Sequence, residues 1–126
     1  MNTRKRPVNL DLTKFKFPIM AIISILHRVS GVILFLALPF FLYQLQASLN
    51  STADFTSLQG GHLLSSLSTC AWWLVLVALS FHIIAGIRHL LMDFGVGEQV
   101  RSGRIGAIVV LVVFVMVAIW LGVWLW

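Results

Sequence analysis

The chain has 126 residues, of which 60% are hydrophobic and only 10% charged. Soluble domains devote about a quarter of their residues to charge, so a soluble globular domain is excluded. A formal charge of +5 invites a nucleic-acid reading, but the placement of the basic residues argues against it. Cys70 is the single cysteine, which excludes a disulfide framework and an iron–sulfur ligand set within this chain; it reads as a small buried apolar residue.

Residues 1–17 mix Arg4, Lys5, Arg6, Lys14 and Lys16 with Asn, Asp and Pro, and belong at an aqueous surface. Pro18 suits the first turn of a helix, where its missing N–H costs nothing. A first apolar span is predicted over residues 19–46, with Pro39 inside it as an expected kink. The apolar stretch shows no small-residue cleavage site before the first loop, so it reads as a retained anchor, not a signal. A Ser/Thr/Gly-containing loop follows, and its His62 is expected at the surface. A second span is predicted over residues 63–92, a short connection over 95–103, and a third span over 105–126. Each approaches or exceeds the ~20 residues that cross a bilayer. The predicted fold is all-α, one integral membrane domain over residues 1–126 with three transmembrane helices. Three helices enclose little interior, so a membrane partner is expected to complete a heteromeric anchor bundle.

Charge sets the orientation. Arg28 lies near the start of the first span, Arg88 ends the second, and Arg101 and Arg104 follow in the connection. The loop after the first span carries Asp54 and no Lys or Arg, as does the tail after Arg104. The positive-inside rule puts the N-terminus and second loop in the cytoplasm and the C-terminus on the other side. Trp120, Trp124 and Trp126 crowd the outer end of the third span and Trp72 and Trp73 lie in the outer half of the second, as aromatic belts do. The basic edge faces lipid headgroups, so the bilayer is a partner and nucleic acid is not.

Two polar constellations interrupt the apolar spans. His82 lies at membrane depth, where an ionisable side chain is expensive without a partner and reads as functional. A neutral imidazole is a ligand for haem iron; the competing reading is a hydrogen bond to another helix. Ala78, Ala85, Gly86 and His89 fall within about 60° of His82 on the helical wheel. Such small residues permit close helix packing or leave room for a flat macrocycle. His89 is seven residues on, about 10 Å along the axis, so the two histidines cannot share one metal ion. Arg88 reads as a boundary arginine, with an ion pair or a propionate contact as the rival, and Asp93 as solvated or paired with His89. In the first span Ser24, His27, Arg28 and Gly31 cover about 100° of one face. A hydroxyl, an imidazole and a guanidinium there suit a polar head on a greasy ligand, although a lone arginine also snorkels to the interface. Ser30 is expected to hydrogen-bond its own helix backbone.

These clusters resemble the two signatures of the cytochrome b subunit of succinate dehydrogenase, a membrane anchor of respiratory complex II. The first is matched by Arg6-Pro7-Val8-Asn9-Leu10 and by Ser24-Ile25-Leu26-His27-Arg28-Val29-Ser30, the second by the run from His82 to Gly95. The resemblance implies a heterotetramer with a flavoprotein subunit, an iron–sulfur subunit and a second membrane-anchor subunit. It implies haem b shared with that second anchor, with His82 as this chain's axial ligand to the iron and His27 and His89 near the haem propionates. It also implies a ubiquinone site lined by Ser24 and Arg28. No residue here is implied to be catalytic alone; the chain would help pass electrons from succinate oxidation to quinone in the tricarboxylic acid cycle and respiratory chain. The expected location is a bacterial inner membrane, N-terminus cytoplasmic and C-terminus periplasmic. Rival readings are the anchor of a quinol:fumarate reductase, a non-catalytic membrane adaptor and, disfavoured by the absence of repeat symmetry, a small transporter.

Overall fold

The computed structural model describes residues 17–52, 55–56 and 62–126, with side chains from residue 67 in the second helix. The basic residues Arg4 to Lys16, the start of the first signature, and Asp54 lie outside the described residues. The side chain of His62 does too, although its backbone opens the second helix. Among the described residues three long helices follow in order: α1 Ile19–Asn50, α2 His62–Asp93 and α3 Val100–Leu125. Each contains a stretch long and apolar enough to cross a membrane: Ile19–Asn50, Leu67–Asp93 and Val100–Leu125. The predicted all-α architecture therefore holds.

The α1 helix contains 32 residues, or about 48 Å at 1.5 Å per residue, well beyond the ~30 Å of hydrocarbon. Pro18 is its N-cap with φ −64°, and the Pro18 carbonyl accepts the N–H groups of Ala21 and Ile22. The helix continues through Pro39, which offers no N–H to the Phe35 carbonyl one turn earlier. The α2 helix ends in a Schellman arrangement: Gly95 N–H donates to Met92 O and Val96 N–H to Leu91 O, each at 2.9 Å. Gly95 carries φ +82°, the left-handed conformation that glycine supplies at this position. Two boundaries differ from the sequence expectation: α1 continues past the expected end at Gln46 to Asn50, and the third helix begins early. The third helix starts at Val100, so Arg101 and Arg104 stand in its first turns and not in the connection. Gln99 initiates it, with its carbonyl accepting Gly103 N–H at 2.8 Å.

The helices run up, down and up. Met20 at the start of α1 meets Gly103 at the start of α3. At the opposite end Phe41 of α1 packs at a tilt against Trp72 of α2 at 4.0 Å, and Trp73 of α2 meets Trp126 of α3 edge-on at 6.2 Å. One end thus collects Arg88, Arg101 and Arg104, and the other a tryptophan cluster. The interior is narrow: Ile23, Phe81, Ala85, Ala107 and Val110 form its buried cluster, and Phe81 meets Phe114 edge-on at 5.0 Å. Large apolar side chains such as Phe35, Leu36 and Ile119 point outward. Lipid tails are as apolar as these side chains, so close packing and interhelical hydrogen bonds hold the bundle together.

Two side chains depart from expectation. Cys70 is exposed, where it lines an open apolar cavity with Trp73, Leu74, Gly122 and Trp126. Arg88, at the basic end of α2, is not left at the surface: it is 8% exposed, and its Nη2 donates to the Gly103 carbonyl at 3.1 Å. It lies in a groove that the missing side chains of Gly103 and Gly106 leave open: ideal Cβ atoms there would stand 3.9 Å from Nη2 and 3.4 Å from Nε. The long aliphatic stem thereby crosses apolar contacts while the guanidinium finds a carbonyl.

Candidate functional site

Three histidines meet at the α1–α2 seam. The rings of His27 and His82 stack with centroids 4.2 Å apart and an interplanar angle of 21°. His27 and His89 lie 5.1 Å apart, tilted by 45°. Glycines opposite each ring make this possible. A Cβ on Gly31 would stand 3.1 Å from His82 Cε1, and one on Gly86 would stand 3.4 Å from His27 Nε2. The small residues around His82 are therefore used, at least at Ala85 and Gly86, for helix packing. Ala85 is fully buried.

The Nδ1 edge of His82 is turned toward α1. Ser30 Oγ lies 3.0 Å from Nδ1 and the His27 carbonyl oxygen 3.2 Å from it. Ser30 also donates to the His27 carbonyl at 2.7 Å. That backbone bond is the one the sequence predicts for Ser30; the contact with His82 is additional. A carbonyl oxygen only accepts, so Nδ1 carries the ring hydrogen of a neutral His82 and donates to this pair of oxygens. The lone pair then resides on Nε2, which has no hydrogen-bond partner among the described residues. Among those residues no three His, Cys, Asp or Glu side chains converge to hold a metal ion.

The remaining predicted residues divide between inside and outside. Ser24 is half-buried on α1, one turn before Arg28, and Arg28 is exposed. The helix register puts Arg28 about 100° around from His27, off the histidine stack. Asp93 is exposed, in keeping with its solvated reading. The structure joins His27, His82 and His89 into one cluster and leaves Arg28 on the outer surface. Sequence reasoning missed Ser30 as a partner of His82, because residues 52 positions apart meet only once the crossing of α1 and α2 is known. The Ser30–Gly31 pair, about one helical turn after His27, was the available signal: a hydroxyl beside a vacant position that can receive a ring.

The sequence model of the family described as "Succinate dehydrogenase/Fumarate reductase transmembrane subunit" matches residues 2–121. The chain belongs to this family. As a succinate dehydrogenase-type transmembrane subunit it is similar to the succinate dehydrogenase cytochrome b556 subunit of Coxiella burnetii, 49% identical over 122 residues, 97% of this chain and 98% of that protein. The cytochrome b556 subunit of Rickettsia prowazekii is 33% identical over 105 residues, covering 80% of this chain and 77% of that one. That of Paracoccus denitrificans is 27% identical over 116 residues, covering 82% and 79%. This membrane subunit is thus an anchor of the cytochrome b type, part of an oxidoreductase complex.

Proposed function

We propose that this chain is the haem- and quinone-binding anchor of a succinate:quinone oxidoreductase in a bacterial inner membrane, with residues 1–126 forming one domain and the basic end in the cytoplasm. It works with a flavoprotein subunit, an iron–sulfur subunit and a second membrane anchor. The observation that carries the reading is the held imidazole of His82. Its Nδ1 is engaged by Ser30 Oγ and the His27 carbonyl, which leaves Nε2 as the nitrogen for iron. Metal-ligating histidines characteristically donate their other ring N–H in this way, so the residues present fit a haem. When bound, haem b supplies a one-electron store next to the quinone site, and a second histidine from the partner anchor would close the iron to other ligands. In this reading His27 and His89, whose rings lie 5.1 Å apart, meet the polar edge of the macrocycle; their position toward the basic end supports it.

Ser24 and Arg28 form the quinone side of the proposal. Oxidation of succinate to fumarate releases two electrons and two protons; reduction of quinone to quinol consumes two of each. Negative charge develops on the quinone oxygens as electrons arrive ahead of protons. The guanidinium of Arg28 stabilises that charge, and the Ser24 hydroxyl donates to a carbonyl oxygen and orients the head group. The exposure of Arg28 on this chain suits a site completed by neighbouring subunits, and its cytoplasmic level gives access to protons. The relatives' names favour the succinate-oxidising direction over fumarate reduction.

Visible absorption spectra of the purified complex, wild type against His82→Leu, test the haem half of the proposal. Loss of the low-spin haem b band is expected; an unchanged band overturns the ligand assignment. Arg28→Leu tests the quinone half. Removal of one such donor is expected to lower quinone reduction by about 100-fold, with succinate oxidation by a soluble artificial acceptor retained. Unchanged quinone reduction would instead favour a passive adaptor.

A further inference from the structure

The second helix supplies the His82 ring, but the atoms that hold it belong to α1. Ser30 is 5% exposed, and its hydroxyl makes two contacts. It donates to the His27 carbonyl at 2.7 Å and faces His82 Nδ1 at 3.0 Å. With its hydrogen committed to that carbonyl, Oγ presents a lone pair to the Nδ1–H of His82. The His27 carbonyl is a second acceptor at 3.2 Å, longer and shared with Ser30.

We propose that Ser30 is a positioning residue for the haem ligand: its hydroxyl fixes the orientation and tautomer of His82 and raises the basicity of Nε2. The proposal rests on the reading of His82 as an axial ligand. A hydrogen bond from Nδ1 to an acceptor leaves more electron density on the ring and makes Nε2 a stronger donor to iron. Stronger donation favours the ferric state, so Ser30 holds the haem potential below the value that His82 alone would set. Gly31 completes the device. Its bare Cα lets the Cε1 edge of the ring approach α1, and the next residue back in the chain, Ser30, then lies within reach of Nδ1.

The test uses the complete complex with its partner subunits, as wild type, Ser30→Ala, Ser30→Thr and His82→Leu. The readouts are haem content, midpoint potential by redox titration and the low-spin electron paramagnetic resonance spectrum of the ferric haem. Ser30→Ala keeps the His27 carbonyl as acceptor, so haem retention with a raised midpoint potential is expected. The rise should approach about 59 mV, a tenfold change for a one-electron couple. Ser30→Thr restores the hydroxyl and should return potential and spectrum toward wild type. Loss of haem in Ser30→Ala with retention in Ser30→Thr also supports the proposal. A wild-type potential and spectrum in Ser30→Ala overturns it, as does an identical change in both variants, which would make the effect one of space and not of hydrogen bonding. The His82→Leu arm separates the two claims, since a haem spectrum unaltered there removes the ligand reading itself.

Discussion

Substitution of Gly31 by alanine places one methyl group against the ring on which the site depends. The new Cβ would stand 3.1 Å from His82 Cε1 and 3.6 Å from Nδ1, whereas carbon atoms in good contact lie about 3.5–4.0 Å apart. The ring must therefore retreat by about 0.4 Å or more. It has little freedom to do so, being stacked on His27 at 4.2 Å and bonded to Ser30 at 3.0 Å. A retreat of that size lengthens the Ser30 contact to about 3.4 Å, past the usual range of hydrogen bonds to nitrogen. Overpacking of this kind costs about 1–3 kcal/mol, offset by the ~0.5–1 kcal/mol that alanine gains over glycine within a helix. A net loss of about 1 kcal/mol is expected. Gly86→Ala is the matched control. Its Cβ would lie 3.4 Å from His27 Nε2, close to ordinary contact, so the helix term dominates and stability is expected to hold or rise. Thermal unfolding of the purified complex, followed by its visible spectrum, measures both. A Gly31→Ala complex that melts at or above wild type with an unshifted haem band would refute the reasoning, as would a Gly86→Ala complex that is the weaker of the two.

Arg88→Leu removes a buried charge-assisted bond to the Gly103 carbonyl and should destabilise the complex by about 1.5–3 kcal/mol. Arg88→Lys should recover little of this, because an ammonium lacks the planar fork that spans the glycine groove; thermal unfolding of the two variants checks both statements. Gly103→Val forces a Cβ to 2.8 Å from Met20 Sδ and 3.1 Å from the Gly97 carbonyl. Overpacking of about 1–3 kcal/mol is expected. Combination with Met20→Ala should relieve only the part due to the flexible thioether, which a double-mutant cycle in thermal unfolding measures.

The three helices were legible in the sequence because length and apolarity are local properties, and lipid imposes a minimum on both. Boundaries were less so. Val100 to Arg104 looked like connection because it is charged, yet helix α3 extends beyond the hydrocarbon and carries its arginines into the headgroup region, where charge is no obstacle. The clusters were legible only as lists. Helical spacing puts His82 and His89 on one face, and Ser24, His27, Arg28 and Gly31 on another; it does not say that the two faces meet. That depends on the crossing of α1 with α2, which Gly31 and Gly86 permit by being bare. For the same reason the small residues around His82 could not be assigned in advance to a helix or to a macrocycle.

Arg88 and Ser30 show where one-dimensional reading stops. Both were given roles from their immediate neighbourhood: a boundary cation at the end of a span, and a serine bonded to its own helix. Each acquires its actual partner from another helix, Gly103 of α3 for Arg88 and His82 of α2 for Ser30. In water such groups could be satisfied by solvent, and the choice of partner would matter less. Within a bilayer an unmet polar group costs several kcal/mol, so Arg88 and Ser30 each gain from a specific partner across a seam. The interhelical hydrogen bonds are consequently few, and they coincide with the positions that fix helix register. The bond that orients His82 is one of them, which ties the geometry of the proposed ligand to the packing of α1 on α2. Disturbance of that seam should therefore appear in the haem spectrum before the complex comes apart.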